Sequence, residues 1–460
     1  MRGAKGGHVQ RTSFLMNVTT KMMAFLMVGS FFTVVFSPEP AEAVSQWTRK
    51  YGEPCSTCHA GFPRLTYYGE RFKRNGYQDP DAAEPDGDSR GKKQINQDLV
   101  IDTINNWLGA RLNVDAARWD SDATIINGRK KDQWTVGNSN WLQLFVAGSI
   151  FENVSIFIEN EFEKDEFKFT WYWLGFHNIA GTSALNLQVG NVSPVDYGSY
   201  SNRLRITPAL KGALARVRSS GNKGDDSVDQ SRSRPGIQYY GYQGPLMWWG
   251  GISTGSKGKD PNHKLNGWAG LKLEVTEDME SPFEGSSISM HGIFGADACS
   301  SNSAGASDPL VDDGIDDGLG GMIGGTNPCA TTQQENNFYR LTPAMNIRLG
   351  DFDLQAMGVI GHDDNWTLTP TEVKSNFYGF NVVAQYAIGK FMPGAMIDWI
   401  EVDKPMSFET REVKLVTPFI RYFLRDNFQI DLYGQIDVQG KNSHHPDKDH
   451  AVLLNFRTMF

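Results

Sequence analysis

Beyond residue 43 the chain has no apolar run long enough for a membrane-crossing helix, which needs ~20 such residues. Cysteine is scarce, with four in 460 residues. Cys55 and Cys58 stand close together, and the other two, Cys299 and Cys329, lie far downstream. A structural zinc site built from two short-spaced ligand pairs is therefore excluded. Basic residues are outnumbered, 44 Lys and Arg against 53 Asp and Glu, for a net charge of −9. Nucleic acid, which recruits clustered Lys and Arg, is excluded as a partner. There is no EF-hand pattern, and no grouping of carboxylates or of Ser with His that points to hydrolysis.

What is present is Cys55-Ser56-Thr57-Cys58-His59. Two cysteines three apart with a histidine directly after them are the attachment pattern of a c-type haem. Each thiol adds to one haem vinyl group, so both sulfurs must share one face of a short helical turn. His59 then presents its imidazole to the iron as proximal ligand. A dithiol redox site would sit in a βαβ context, and none is readable here.

Residues 1–43 read as a secretory leader. Arg2, Lys5, Arg11 and Lys21 precede the apolar run Met22 to Phe36, and Ala41-Glu42-Ala43 is a small-x-small cleavage site. Export suits covalent haem, which is attached outside the bacterial cytoplasm. Residues 44–78 form the haem segment. Pro63 suits a first helical turn, Leu65, Tyr68 and Phe72 share one face, and Asn75-Gly76 ends the helix behind Lys73 and Arg74. Phe62 and Phe72 are candidates to pack on the macrocycle. Arg64, Arg71, Lys73 and Arg74 face either haem propionates or solvent. The segment is too short to bury a core alone. Between residues 44 and 94 it has His59 but no second His and no Met. A sixth iron ligand, if there is one, must come from downstream, with His177, His291, Met290 and Met357 as candidates. Residues 79–94, rich in Asp, Pro and Gly, read as a linker.

From 95 to 460 the period is two. Ala269, Leu271, Leu273 and Val275 alternate with Trp268, Lys272 and Glu274, and Ile430, Leu432 and Ile436 alternate with Gln429, Asp431 and Gln435. The pattern predicts an all-β chain of about sixteen antiparallel strands, most near the ~9–11 residues of a tilted membrane strand. The first is expected over 97–118 and the second over 139–149. Short connections alternate with long ones such as 119–138, 193–235 and 296–336, with short exceptions near Lys164 and Lys404. That asymmetry predicts an outer-membrane β-barrel with short periplasmic turns. Phe460, Phe456, Leu454 and Val452 share one face of the last strand, as in bacterial barrels. Trp171-Tyr172-Trp173 and Trp248-Trp249 suit aromatic girdles.

In an oxidising compartment Cys299 and Cys329 are expected to pair as a disulfide. Asp312, Asp313, Asp316 and Asp317 between them make a hard-cation site or a solvated acidic loop. His444, His445 and His450 are weaker metal candidates.

Tyr51-Gly52, Cys55-x-x-Cys58-His59, Pro63, Leu65-Thr66, Gly69, Phe72-Lys73 and Gly76-Tyr77 together resemble the haem segment of the fused monohaem cytochrome–porins. That outer-membrane family is associated with extracellular ferrous iron oxidation. The likeness is specific over about residues 47–78. Over the barrel it is one of length, order and strand pattern. The resemblance implies that Cys55 and Cys58 bind one haem c, that His59 ligates its iron, and that electrons cross the outer membrane through a haem in or at the barrel.

Three functions follow as alternatives. The first is a conduit from extracellular Fe(II) to a periplasmic cytochrome, which amounts to Fe(II) oxidase activity. The second is a conduit for another donor, or for outward transfer. The third is a diffusion porin whose haem serves folding or sensing. Under each the chain resides in the bacterial outer membrane, with the haem segment entering the barrel from the periplasmic side.

Overall fold

The two-residue alternation is satisfied in the sense opposite to that of a soluble sheet. In the computed structural model Leu271, Leu273, Leu432 and Ile436 are exposed, while Lys272, Glu274, Asp431 and Asp437 are buried. Apolar side chains outward and polar ones inward are the distribution of a barrel that crosses a bilayer. The structure describes residues 45–61, 64–81, 93–94, 100–101, 104–126, 129–163, 166–200, 233–254, 263–299, 334–366, 368, 372, 374–403, 411–438 and 450–459. Among them no helix is long and apolar enough to cross a membrane, which says nothing of strands.

Two residue pairs, β1 (Lys93–Gln94) and β2 (Val100–Ile101), form a small ladder apart from the rest. Sixteen strands then close one antiparallel barrel. They are β3 (Leu108–Ile126), β4 (Arg129–Phe151), β5 (Val154–Glu163), β6 (Glu166–Phe176), β7 (Asn186–Val192), β8 (Arg234–Gln243), β9 (Leu246–Ser253), β10 (Asn266–Glu274), β11 (Ser287–Cys299), β12 (Gln334–Leu349), β13 (Phe352–Asp363), β14 (Ser375–Tyr386), β15 (Phe391–Asp403), β16 (Arg411–Arg425), β17 (Phe428–Asp437) and β18 (Ala451–Met459). Each pairs with its sequence neighbour, and β18 closes on β3 with Phe456 opposite Val114. Closure leaves no edge strand unpaired.

The architecture expected from the sequence is present, with three differences. The first barrel strand starts at Leu108, not near 97, because Val100 and Ile101 pair with Gln94 and Lys93 instead. The expected long loop 119–138 is mostly strand: β3 and β4 stay paired out to Ile126 and Arg129, with Trp119 opposite Trp134. The aromatic runs do not form girdles as units. Trp171, Trp173 and Trp249 are buried and Tyr172 is exposed, because successive side chains of a strand point to opposite faces. On β18, Val452 faces out, and Asn455 and Arg457 are buried inward as expected. Cys329, the side chain of Cys299, Asp308 to Asp317, His444, His445, Phe62, Pro63 and Phe460 lie outside what is described. His450 is described, and its Nδ1 accepts from the Asp437 backbone N–H at 3.2 Å.

Ahead of the barrel, and within one compact unit with it, are three short helices: α1 (Gln46–Tyr51), α2 (Cys55–Cys58) and α3 (Tyr67–Arg74). Thr66 caps α3 by accepting from Gly69 N at 3.1 Å. The helix therefore begins later than Pro63 predicts, and Leu65 lies outside it, bridged to His59. Asn75 caps the other end, and Gly76 follows with φ 71°.

These helices are pinned inside the barrel by buried charge. Arg64 is 1% exposed; it donates to Asp353 at 2.8 and 3.1 Å, to Asn346 at 2.5 Å and to Glu70 at 3.1 Å. Arg348 reaches Glu70 at 2.6 Å, and Arg74 pairs with Glu274. Lys73 donates to the carbonyl of Asp196 at 3.2 Å. Asp196 belongs to a segment, 193–200, that turns inward after β7; Trp249 Nε1 holds Pro194 O at 2.8 Å, and Ser199 N holds Ser289 Oγ at 2.9 Å. These cations were expected to face propionates or water. Arg64 and Arg74 are instead counter-ions to the barrel wall and Lys73 to the inward segment, because a carboxylate brought into the lumen must be paired, while Arg71 stays partly exposed beside Asp81 and Glu277.

Burial alone would raise the Glu70 carboxyl, but Arg348, Lys272 and Arg64 overcome it and hold it at about 2, below the ordinary 4.5. The docked carboxyl thus titrates below the free one. Its contribution to docking, about 3 kcal/mol, is complete above pH 4.5 and is lost as pH falls towards 2. Hydrogen-exchange protection over residues 45–77, taken relative to the intrinsic rate at each pH, should accordingly be flat from neutral pH to about 5 and fall steeply below. A fall centred near pH 7 would show that another group controls docking.

Candidate functional site

The motif sits in a tight local frame. Pro54, with φ −66°, opens α2, and His59 N closes the helical turn on Cys55 O at 2.9 Å. His59 itself is extended. Ala60 N donates to Arg64 O at 2.9 Å, Thr66 N to Cys58 O at 2.9 Å, and Thr66 Oγ1 to Thr57 O at 2.5 Å. The chain therefore folds back at once, setting α3 against the cysteines. Gly69 permits this approach: a Cβ there would overlap the Cys58 carbonyl oxygen. Gly69→Ala should displace α3 at a cost of about 1–3 kcal/mol, read as faster proteolysis within residues 45–77 while the barrel remains resistant. Unchanged resistance would show that the contact gives way freely.

Cys55, Cys58 and His59 line a cavity of about 420 Å³, within the range of cofactor sites. Trp47, Thr48, Tyr51, Tyr68 and Phe72 form its inner wall, and Met392, Phe423, Gln429, Arg457 and Met459 are contributed by the barrel. The sites of Lys390 and Asp426-Asn427 on its border place it at the barrel end that carries the short turns. Burial raises the Cys55 thiol and pushes Cys58 up to about 12, so both are neutral thiols. Trp47 Nε1 is buried and has no hydrogen-bond partner among the described residues. Its ring stacks on Tyr77 with centroids 4.6 Å apart, and Tyr77 stacks on Trp173 at 6.0 Å.

This donor set fits a tethered haem. Two thiols flank one helical turn, a histidine follows, and the surround is aromatic. Lys390, Arg425 and Arg457 supply the cations on the cavity wall; Arg64 and its neighbours, for which the sequence left propionates or solvent open, do not. Phe72 lines the cavity as expected.

The four candidate distal ligands are elsewhere. His177 is held between Tyr240 and Ser155, 2.7 and 2.5 Å from their hydroxyls, and burial lowers it to about 4, so it is neutral. Met290 is exposed on the outer face, and His291 and Met357 are buried without lining the cavity. Helix α1, which carries Trp47, Thr48 and Tyr51, was not read from the sequence. Its signals are Ser45 before it, Arg49 and Lys50 in its last turn, and Gly52 after it at φ 77°. The barrel-wall residues carry no local signal. Among the described residues no group of three or more His, Cys, Asp or Glu is placed to hold a metal ion.

No protein-family model matches the chain, and no curated protein does. Solved structures similar to it include an anion-selective porin from Comamonas acidovorans, 12% identical, with TM-score 0.49, covering 77% of this chain and 98% of that one. Outer-membrane expressed OmpT of Vibrio cholerae is 11% identical, with TM-score 0.48, covering 80% and 100%. OprB of Pseudomonas putida at high pH is 8% identical, with TM-score 0.48, covering 77% and 94%. The barrel assignment itself rests on the strand pairing.

Proposed function

We propose that this barrel lies in the bacterial outer membrane and is a one-electron conduit. It would carry a single c-type haem on Cys55, Cys58 and His59, take electrons from extracellular Fe(II) and deliver them to a periplasmic cytochrome. The observation that carries the reading is the cavity, which gathers the two thiols and His59 with an aromatic wall at the short-turn end of the barrel. A bound haem supplies a one-electron couple: Fe(II) outside becomes Fe(III), and the electron leaves on the periplasmic acceptor.

The chain's own residues do the remaining work. Cys55 and Cys58 tether, and His59 ligates. Arg425 and Arg457 offset negative charge. The ion pairs of Arg64, Glu70 and Arg74 hold the segment rigidly, so that the site is preorganised. Short periplasmic turns are the rule for such barrels, so the cavity stands where a periplasmic acceptor can approach it. With the lumen filled, the electron and not the Fe(II) ion must cross to it from the other end.

The diffusion reading is weakened by that lumen. Inward residues such as Asn381, Thr417 and Tyr433 are buried, whereas the wall of a water-filled channel would be wet. The test uses proteoliposomes with an oxidant sealed inside and Fe(II) added outside. Haem reduction followed by oxidant consumption is expected. Solute flux without haem reduction would establish the porin in its place.

A further inference from the structure

Resting on the haem-bearing reading above, we propose that Met392 of β15 is the second axial ligand of the iron, the partner of His59. The haem segment has no Met and no second His between residues 44 and 94, so the ligand must come from the wall of the cavity. Two residues of that wall carry a thioether, Met392 and Met459, and His59 is its one imidazole. Several other donors on the wall are engaged: Lys390 Nζ donates to Leu424 O at 3.4 Å, Gln429 Nε2 to Asp431 at 2.8 Å, Tyr51 Oη to Tyr77 O at 2.8 Å and Tyr68 Oη to Asp79 at 3.0 Å.

Met392 is a thioether that meets the chain just after the haem motif. A Cβ placed on Gly61, two residues after His59, would stand 3.0 Å from Met392 Sδ. The strand aims it there: Phe391 is exposed and Met396 buried, so even positions of β15 face the lumen. Gly61, at φ 88° and without a side chain, lets the sulfur come that close. Methionine suits the task because its unbranched, flexible side chain adapts to the space and its soft sulfur ligates iron. His/Met ligation raises a haem's potential relative to two imidazoles or an anionic ligand, because the soft neutral sulfur favours Fe(II), which suits an acceptor of electrons from Fe(II).

The test is spectroscopic and needs no turnover. Wild-type protein produced with a c-type maturation system should be six-coordinate and low-spin, with the far-red sulfur-to-iron charge-transfer band in its ferric form. Met392→Leu should lose that band and become high-spin, and Met459→Leu should keep it. Met392→His, which preserves a ligand should the leucine variant fold poorly, should stay low-spin with a lower potential. Covalent haem whose spectrum is unchanged in Met392→Leu, or lost in Met459→Leu instead, overturns the assignment and leaves the conduit reading standing. Wild-type protein without covalent haem overturns both.

Discussion

The double variant Cys55→Ser/Cys58→Ser is expected to reach the membrane as a folded barrel and to carry no covalent haem. Denatured wild type should retain haem on a gel, and the variant none. His59→Ala should keep the tether but pass no electrons, so oxidant sealed in liposomes survives external Fe(II). The barrel survives both changes because its sixteen strands pair with one another and none pairs with α2. The motif's own contacts are local, running from Cys55, Thr57 and Cys58 to His59 and Thr66. Haem that dissolves from the wild type in acid acetone would refute covalent attachment. Oxidant lost equally fast through His59→Ala would refute the conduit.

Arg64→Met should release the inserted segment. Arg64 is fully buried and its guanidinium serves Asp353, Asn346 and Glu70 together. Removing one partner of a buried pair costs about 3–5 kcal/mol, because the other charge is stranded. Planar bilayers should then show ion current that the wild type lacks, and protease should cut within residues 45–77. Adding Asp353→Leu should recover part of the loss, since an apolar replacement of both partners strands less charge. If Arg64→Met is as closed and as resistant as the wild type, the segment is held by its aromatic contacts instead.

Much was legible in the sequence for a physical reason: the information is local. Cys55, Cys58 and His59 are spaced by one helical turn, so the proposed attachment rests on five consecutive residues. The barrel can be read because a strand between lipid and lumen must alternate, as Leu271 and Leu273 do with Lys272 and Glu274. The strand count followed from the same rule. Local patterning was less able to place strand ends. The β3–β4 hairpin runs further than its alternation suggested, because cross-strand pairs such as Trp119 with Trp134 extend it.

What only the tertiary structure decided is which residues from opposite ends of the chain meet. Arg64 and Asp353, or Gly61 and Met392, are far apart in sequence and have no common period. Arg64, Lys73 and Arg74 look like a solvated helix face until the barrel's Asp353, Asp196 and Glu274 are set against them. Trp171 and Trp173 look like a girdle until the register turns both inward. The sequence by itself determined a closed strand barrel and a Cys-x-x-Cys-His motif. The docking of that motif at the short-turn end, its ionic clamps, and the methionine beside His59 came from closure of the barrel, which brings β13, β15 and β18 around a segment that precedes them all.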